Sequence, residues 1–347
     1  MFRLPTPHRY AALICSASLL LSSPSAHAAD DAPKAHCRYT NFATLPIKAV
    51  GGSVLVDGAI NGTDAVMLAD TGSVSTSLTR AKVDKLGLKL GHAGISTFGV
   101  GGESQVYQTM VDDLSIGKAH WHRVRMSVLW DGDMLRSFDA LIGANILFYS
   151  DLELSLAKGE MKFFEPKGCD DTFLGYWDEQ AVVIPMREMA PDDQRQIFEV
   201  QVNGKTLRAI IDSGASTSII NLAAAARVGV TPKSPGVVEA GSSSGIGKHE
   251  LKTWRAKFDS FSIGDETIKS PTIAIHDLYG AALADANTIA TSDLLQDEPD
   301  MLLGADFLRA HRVLFAVSQR RLYLSYLGGR VFGSGDAPAA GADGKAK

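Results

Sequence analysis

Cysteine is nearly absent from this chain: its 347 residues include three, at positions 15, 37 and 169. So few thiols exclude a disulfide-dense miniature fold, and their wide spacing makes no zinc signature. Blocks of basic charge are missing too. Lys and Arg total 34 against 39 acidic residues, a formal charge of −5. Phosphate recognition needs a concentrated Lys/Arg footprint, so nucleic acid is not an expected partner. The longest apolar stretch, "AALICSASLLLSS" (11–23), is short for a membrane span. What remains is the composition of a globular protein, 45% apolar and 21% charged, long enough for two domains with separate cores.

The apolar stretch has another use. Arg3, His8 and Arg9 precede it, and Ala26 and Ala28 follow in an A-x-A arrangement. That is the pattern of a secretory signal peptide cleaved after Ala28. It predicts an exported chain, periplasmic or fully secreted, with no stable membrane insertion after cleavage. An uncleaved anchor is the competing reading. Cys15 leaves with the signal, and in an oxidising compartment Cys37 and Cys169 are expected to bridge, two free thiols being the alternative. About twenty residues separate Ala28 from the first strand run, so no long pro-segment is expected.

An internal repeat organises the rest. "INGTDAVMLADTGSVSTSLTRAKVDKLGL" (60–88) matches "VNGKTLRAIIDSGASTSIINLAAAARVGV" (202–230) without a gap. Taking 70 from 212 gives an offset of 142, which also pairs Gly62 with Gly204 and Gly87 with Gly229. Farther on, "DALIGANIL" (139–147) matches "DMLLGADFL" (300–308). This is a duplicated domain rather than a solenoid. Each copy reads as short strands punctuated by glycine, with Asn-Gly hairpin turns and few helical stretches. The predicted class is all-β, with small, nearly closed sheets. The boundaries follow as a signal peptide (1–28), an N-terminal segment (29–44), a first lobe (45–165), a linker (166–181), a second lobe (182–328) and a disordered tail (329–347).

Each copy ends an apolar strand on Asp-Ser/Thr-Gly: "LADTG" (68–72) and "IIDSG" (210–214). Either alone could be a capped turn. As a pair they fit water activation. Two facing carboxylates cannot both ionise and therefore share a proton. One takes a proton from water while its neutral partner polarises a carbonyl, and general acid catalysis completes the cleavage. No metal, cofactor or covalent nucleophile is required. A glycine after each hydroxyl lets the two turns approach without Cβ clashes.

These turns, with "LIGANIL" and "LLGADFL", resemble the aspartic proteases, the retropepsin-like branch more than pepsin. The resemblance runs from about Ala49 to about Leu327. It implies a bilobal acid-protease fold of two small β-barrel lobes, each with a short helix, and an active site in the cleft between them. It further implies Asp70 and Asp212 as the catalytic dyad. Thr71 and Ser213 would lock the loops, Gly72 and Gly214 would be the close-approach positions, and Ser73 and Ala215 would complete the loops. Substrate flaps would be "TFGVGGES", with Phe98, Gly99, Val100, Gly101 and Gly102, and "AGSSSGIGK", with Gly241 and Gly245. The implied activity is endopeptidase cleavage of an extended polypeptide by a monomer of two fused lobes. A peptide-binding pseudoprotease is the alternative. Ser73 has no hydroxyl counterpart at Ala215, which predicts an easier ionisation of Asp70 through a bond from the Ser73 hydroxyl.

Other signals are weaker. "GSSSG" (241–245) matches G-x-S-x-G with Ser243 as nucleophile, but no helix start follows it. His120 and His122 share a strand face, without a third ligand at a telling spacing. "GVGG" lacks the strand and helix of a dinucleotide fingerprint.

Overall fold

Two Asn-Gly turns fix the register of both halves. Asn61 and Gly62 have φ of 49° and 75°, Asn203 and Gly204 have 51° and 71°, the left-handed pair a two-residue hairpin requires. They join Ser53–Ile60 to Thr63–Ala69 and Asp193–Val202 to Lys205–Ile211. Side chains alternate across each hairpin. Ala65, Met67 and Ala69 enter the main core, which leaves Val66, Leu68 and then Asp70 on the opposite face.

A computed structural model describes residues 36–50, 52–99, 102–129, 137–243, 251–280 and 298–332. The expected signal peptide and the tail beyond 332 lie outside the described residues. Among the described residues, no helix is long and apolar enough to cross a membrane.

In the first lobe six strands close on themselves. Ser53–Ile60 pairs with Thr63–Ala69, which runs parallel to Ala140–Ile142. Ser77–Thr79 and Ala119–Leu129 follow, then Gly102–Ile116, which returns to Ser53–Ile60. The second lobe repeats this order with breaks. Leu251–Lys257 and Ser260–Ile263 stand where the first lobe has the single strand Gly102–Ile116. Glu266–Lys269 and Thr272–His276 replace Ala119–Leu129, interrupted at Pro271, which offers no N–H. The fold is the bilobal all-β acid-protease architecture that the resemblance implies.

A six-stranded sheet joins the lobes, in the order Arg38–Pro46, Glu160–Lys167, Asp151–Ser155, His311–Ala316, Arg321–Tyr326 and Val182–Pro185. The junction is the antiparallel pairing of Asp151–Ser155 with His311–Ala316. One side of the sheet joins the main core, and the linker packs on the other, with Leu174 against Phe164 and Tyr323. There Arg312 Nε donates to Glu153 Oε1 at 3.0 Å, and Tyr176 OH donates to Glu153 Oε2 at 2.7 Å. The guanidinium also lies 4.4 Å from the Trp177 ring centre. This buried ion pair spans the two lobes and is capped by the linker. The expected disulfide is present: Cys37 and Cys169, Cα atoms 4.5 Å apart, tie the first strand to the start of the linker.

One boundary moves. The second lobe does not stop at 328, because Phe332 is 1% exposed. Its ring lies 4.9 Å from that of Phe261 and 6.2 Å from that of Phe307. Residues 329–332 therefore belong to the lobe; an aromatic ring with core partners outweighs the small and polar composition around it.

Candidate active site

Both Asp-Ser/Thr-Gly turns meet at the junction of the lobes. Asp70 ends the strand Thr63–Ala69 and its N–H bonds to the Ile142 carbonyl at 3.0 Å. Asp212 ends Lys205–Ile211 and bonds to the Leu303 carbonyl at 2.9 Å. Two hydroxyls then lock one turn to the other. Thr71 Oγ1 donates to the Ile211 carbonyl at 2.7 Å and accepts the Ser213 N–H at 3.0 Å. Ser213 Oγ donates to the Ala69 carbonyl at 2.7 Å and accepts the Thr71 N–H at 3.0 Å. Both side chains are buried, and each has a single proton already given to a carbonyl.

The glycines sit where no other residue fits. A Cβ on Gly72 would stand 2.7 Å from both carboxylate oxygens of Asp212. One on Gly214 would stand 2.5 Å from Cγ of Asp70. Each carboxyl group thus lies over the opposite turn.

A second layer braces each turn. Ala144 N–H donates to the Ser73 carbonyl and Ala305 N–H to the Ala215 carbonyl, both at 2.8 Å. In the first lobe Thr76 Oγ1 accepts the Gly143 N–H at 3.1 Å and donates to Asn145 Oδ1 at 2.8 Å. In the second, Ser218 Oγ accepts the Gly304 N–H at 3.0 Å and donates to Asp306 Oδ1 at 2.7 Å. Asp306 Oδ1 also accepts the N–H of Ser218 at 2.7 Å and of Phe307 at 2.9 Å.

Burial, then the charge of Asp212, lift Asp70 well above the ordinary carboxylate range, against the N–H groups of Gly72 and Ser73. Burial also raises Asp212, opposed by the hydrogen bond from Asp70, the N–H groups of Gly214 and Ala215, and the charge of Arg195. Ser73 does not act as its sequence position suggested. Its hydroxyl donates to the Ser75 carbonyl at 3.2 Å, which satisfies the turn rather than Asp70.

A family model described as aspartyl protease matches residues 56–146 and 198–307, more than half of the chain and once in each lobe. The chain belongs to the aspartyl protease family. A solved aspartic proteinase from Irpex lacteus is 14% identical, over 82% of this chain and 97% of that one, with a TM-score of 0.48. A retropepsin-like aspartic protease from Rickettsia conorii is 18% identical, over 38% of this chain and 94% of that one, with a TM-score of 0.28. No curated protein matches the chain.

Among other positions singled out in this aspartyl protease, Phe98, Gly99 and Gly102 lie on a hairpin of Gly91–Gly99 and Gly102–Ile116. Val100 and Gly101 lie outside the described residues. Gly241 lies on Val238–Ser243 with φ 82°, within an irregular pairing to Leu251–Lys257, and Gly245 is outside the described residues. Ser243 ends that strand, with no described helix after it. His120 and His122 are exposed, each with Nδ1 at 3.1 Å from Asp113 Oδ1. Among the described residues no group of three or more His, Cys, Asp or Glu could hold a metal.

Sequence reasoning missed the braces Thr76–Asn145 and Ser218–Asp306, and it missed Arg195. Applying the offset of 142 to the strand before each Asp would have shown Arg195 opposite Ser53.

Proposed function

We propose that this aspartyl protease is an exported endopeptidase that cleaves extended polypeptides with a water activated between Asp70 and Asp212. The observation that carries this reading is the face-to-face dyad itself, locked by the reciprocal Thr71 and Ser213 bonds. A carboxylate of the pair takes a proton from water, whose oxygen attacks the peptide carbonyl. The protonated partner gives its proton toward that carbonyl oxygen. The resulting gem-diol collapses as the leaving nitrogen is protonated, yielding an acid and an amine. Peptide plus water balances products, and the dyad returns to its shared-proton state.

An apolar cluster flanks each Asp on its own strand face. Leu55, Leu68, Phe138 and Leu141 form one, and Ile197, Ile210, Leu278 and Leu302 the other. These clusters pack behind the turns and hold them in place. An extended chain would bond along its backbone to strand edges of the cleft and hairpins, as an added strand does. The Arg3 to Ala28 pattern supports export, with the periplasm as the destination.

The test is digestion of a mixed peptide library by the chain beginning at Ala29, from acidic to neutral pH, with and without pepstatin. The expected result is pepstatin-sensitive cleavage of peptides that is lost in Asp70→Asn and Asp212→Asn. Peptide binding without cleavage at any pH would instead make the protein a binding module. Labelling of Ser243 by a fluorophosphonate would make it a serine hydrolase.

A further inference from the structure

Where the second lobe breaks the long strands of the first, it leaves a sheet edge open. Ser260–Ile263 turns through Gly264, φ 53°, and Asp265 into Glu266–Lys269, which ends its sheet with no second strand partner among the described residues. Ile263 and Glu266 close this two-residue turn, and bonded and non-bonded pairs alternate from there. The N–H and C=O groups of Thr267 and Lys269 therefore face away from the partner strand. Beside that edge lies a groove of about 530 Å3, lined by residues 266–272 on one side and by Tyr326 and residues 329–332 on the other. Among the described residues no strand pairing joins the two walls. The far wall is anchored, because Phe332 is buried against Phe261 and Phe307.

Charge in the groove is uneven. Its lining holds two cations, Lys269 and Arg330, both exposed and neither in an ion pair among the described residues. It holds one acid, Glu266, whose carboxylate is turned onto Nε2 of the buried His311 at 3.0 Å. Asp265, at the turn, is not part of the lining. A lysine that guards an open edge is common, but a guard needs no second cation on the facing wall.

We propose that this groove takes an extended, acidic polypeptide segment, which adds to Glu266–Lys269 as a further strand and sets its carboxylates against Lys269 and Arg330. Backbone bonds to Thr267 and Lys269 hold the segment, and the two cations select its charge. None of the lining residues belongs to either Asp-Ser/Thr-Gly turn, so the inference stands independently of the peptidase reading.

The experiment uses the chain beginning at Ala29 with Asp70→Asn, which keeps the probes from being cut. Fluorescence anisotropy follows two labelled octapeptides, one of alternating Asp and Val and one of alternating Lys and Val. The acidic peptide should bind about tenfold more tightly than the basic one, and Lys269→Glu combined with Arg330→Glu should weaken it about tenfold. Thr267→Pro removes an outward N–H at a place an edge strand tolerates, and should weaken it about fivefold. Carbodiimide should couple the acidic peptide to Lys269. An affinity unmoved by the charge reversal would put the peptide elsewhere, and overturns the proposal. Equal binding of the two peptides, or none of the acidic one, would leave Lys269 as a guard of the edge and overturns it as well. Should Thr267→Pro fail to fold, the charge reversal, confined to two exposed side chains, still decides. Coupling of Lys269 to Asp336 or Asp343 of the same chain would make the chain's own tail the occupant. Coupling between two chains would make it a second copy. Either result overturns the proposal of a separate partner.

Discussion

The two lobes share one strand order, yet they differ in how evenly they were kept. The first lobe closes on the long strands Gly102–Ile116 and Ala119–Leu129, and the second breaks both. The first braces its turn with the neutral pair Thr76 and Asn145, the second with Ser218 and the acid Asp306. Ser53 faces Arg195 across the repeat. The groups that touch the other lobe at the dyad are matched: Thr71 with Ser213, Gly72 with Gly214. At the dyad, where each turn bonds to the other, a change in one copy disturbs its partner. Contacts inside a lobe carry no such tie and can diverge.

The largest test of that contrast is Gly72→Ala beside Gly214→Ala. Each added methyl would press on the opposite carboxyl group. The expected cost is about 1–3 kcal/mol in stability and about 100-fold in cleavage, since the dyad must spread. Thermal melts and kcat/KM check this. Clearly unequal losses would break the symmetry claimed for the junction.

Next come Thr71→Val and Ser213→Ala. Each leaves a buried N–H and carbonyl of the other lobe without a partner, expected to cost about 1–3 kcal/mol. The double variant should cost less than the sum, because the four bonds are one exchange. Strict additivity in denaturant melts would count against a reciprocal lock.

How much of this was legible beforehand follows the same division. The Asn-Gly turns, the two Asp-Ser/Thr-Gly sites and the braced glycines were readable because the repeat wrote each of them twice. Arg195 was not, since its partner Glu298 lies 103 residues away and the first lobe has no counterpart. The Ser73 hydroxyl was readable as a donor but not in its direction, which the turn decided. Phe332 was misread with the tail because burial depends on Phe261 and Phe307, which no local pattern reveals. The linker looked like a connector, although Tyr176 and Trp177 cap the ion pair between the lobes.

A smaller effect is expected at the divergent brace. Burial holds Asp306 above its ordinary range in the folded protein. A carboxyl group that binds its proton more tightly folded than unfolded adds stability on the acid side, and this contribution is lost as pH rises through the folded pKa. Asp306→Asn, which copies Asn145, should therefore flatten the fall in melting temperature from acidic to neutral pH. A slope equal to the parent's would contradict the assignment. Smallest of all should be Ser73→Ala, which removes the bond to the Ser75 carbonyl, about 0.5 kcal/mol, and leaves the acid limb of kcat/KM where it was. A shift of that limb would return Ser73 to the role its sequence position suggested.

The most direct measurement is cleavage of one good peptide by Asp70→Asn and by Asp212→Asn, each confirmed as folded by its melt. The expected result is a loss of kcat of about 1,000-fold or more in both variants, because neither carboxyl group can share a proton alone. Parent-like turnover in either variant would contradict a single site assembled from the two lobes.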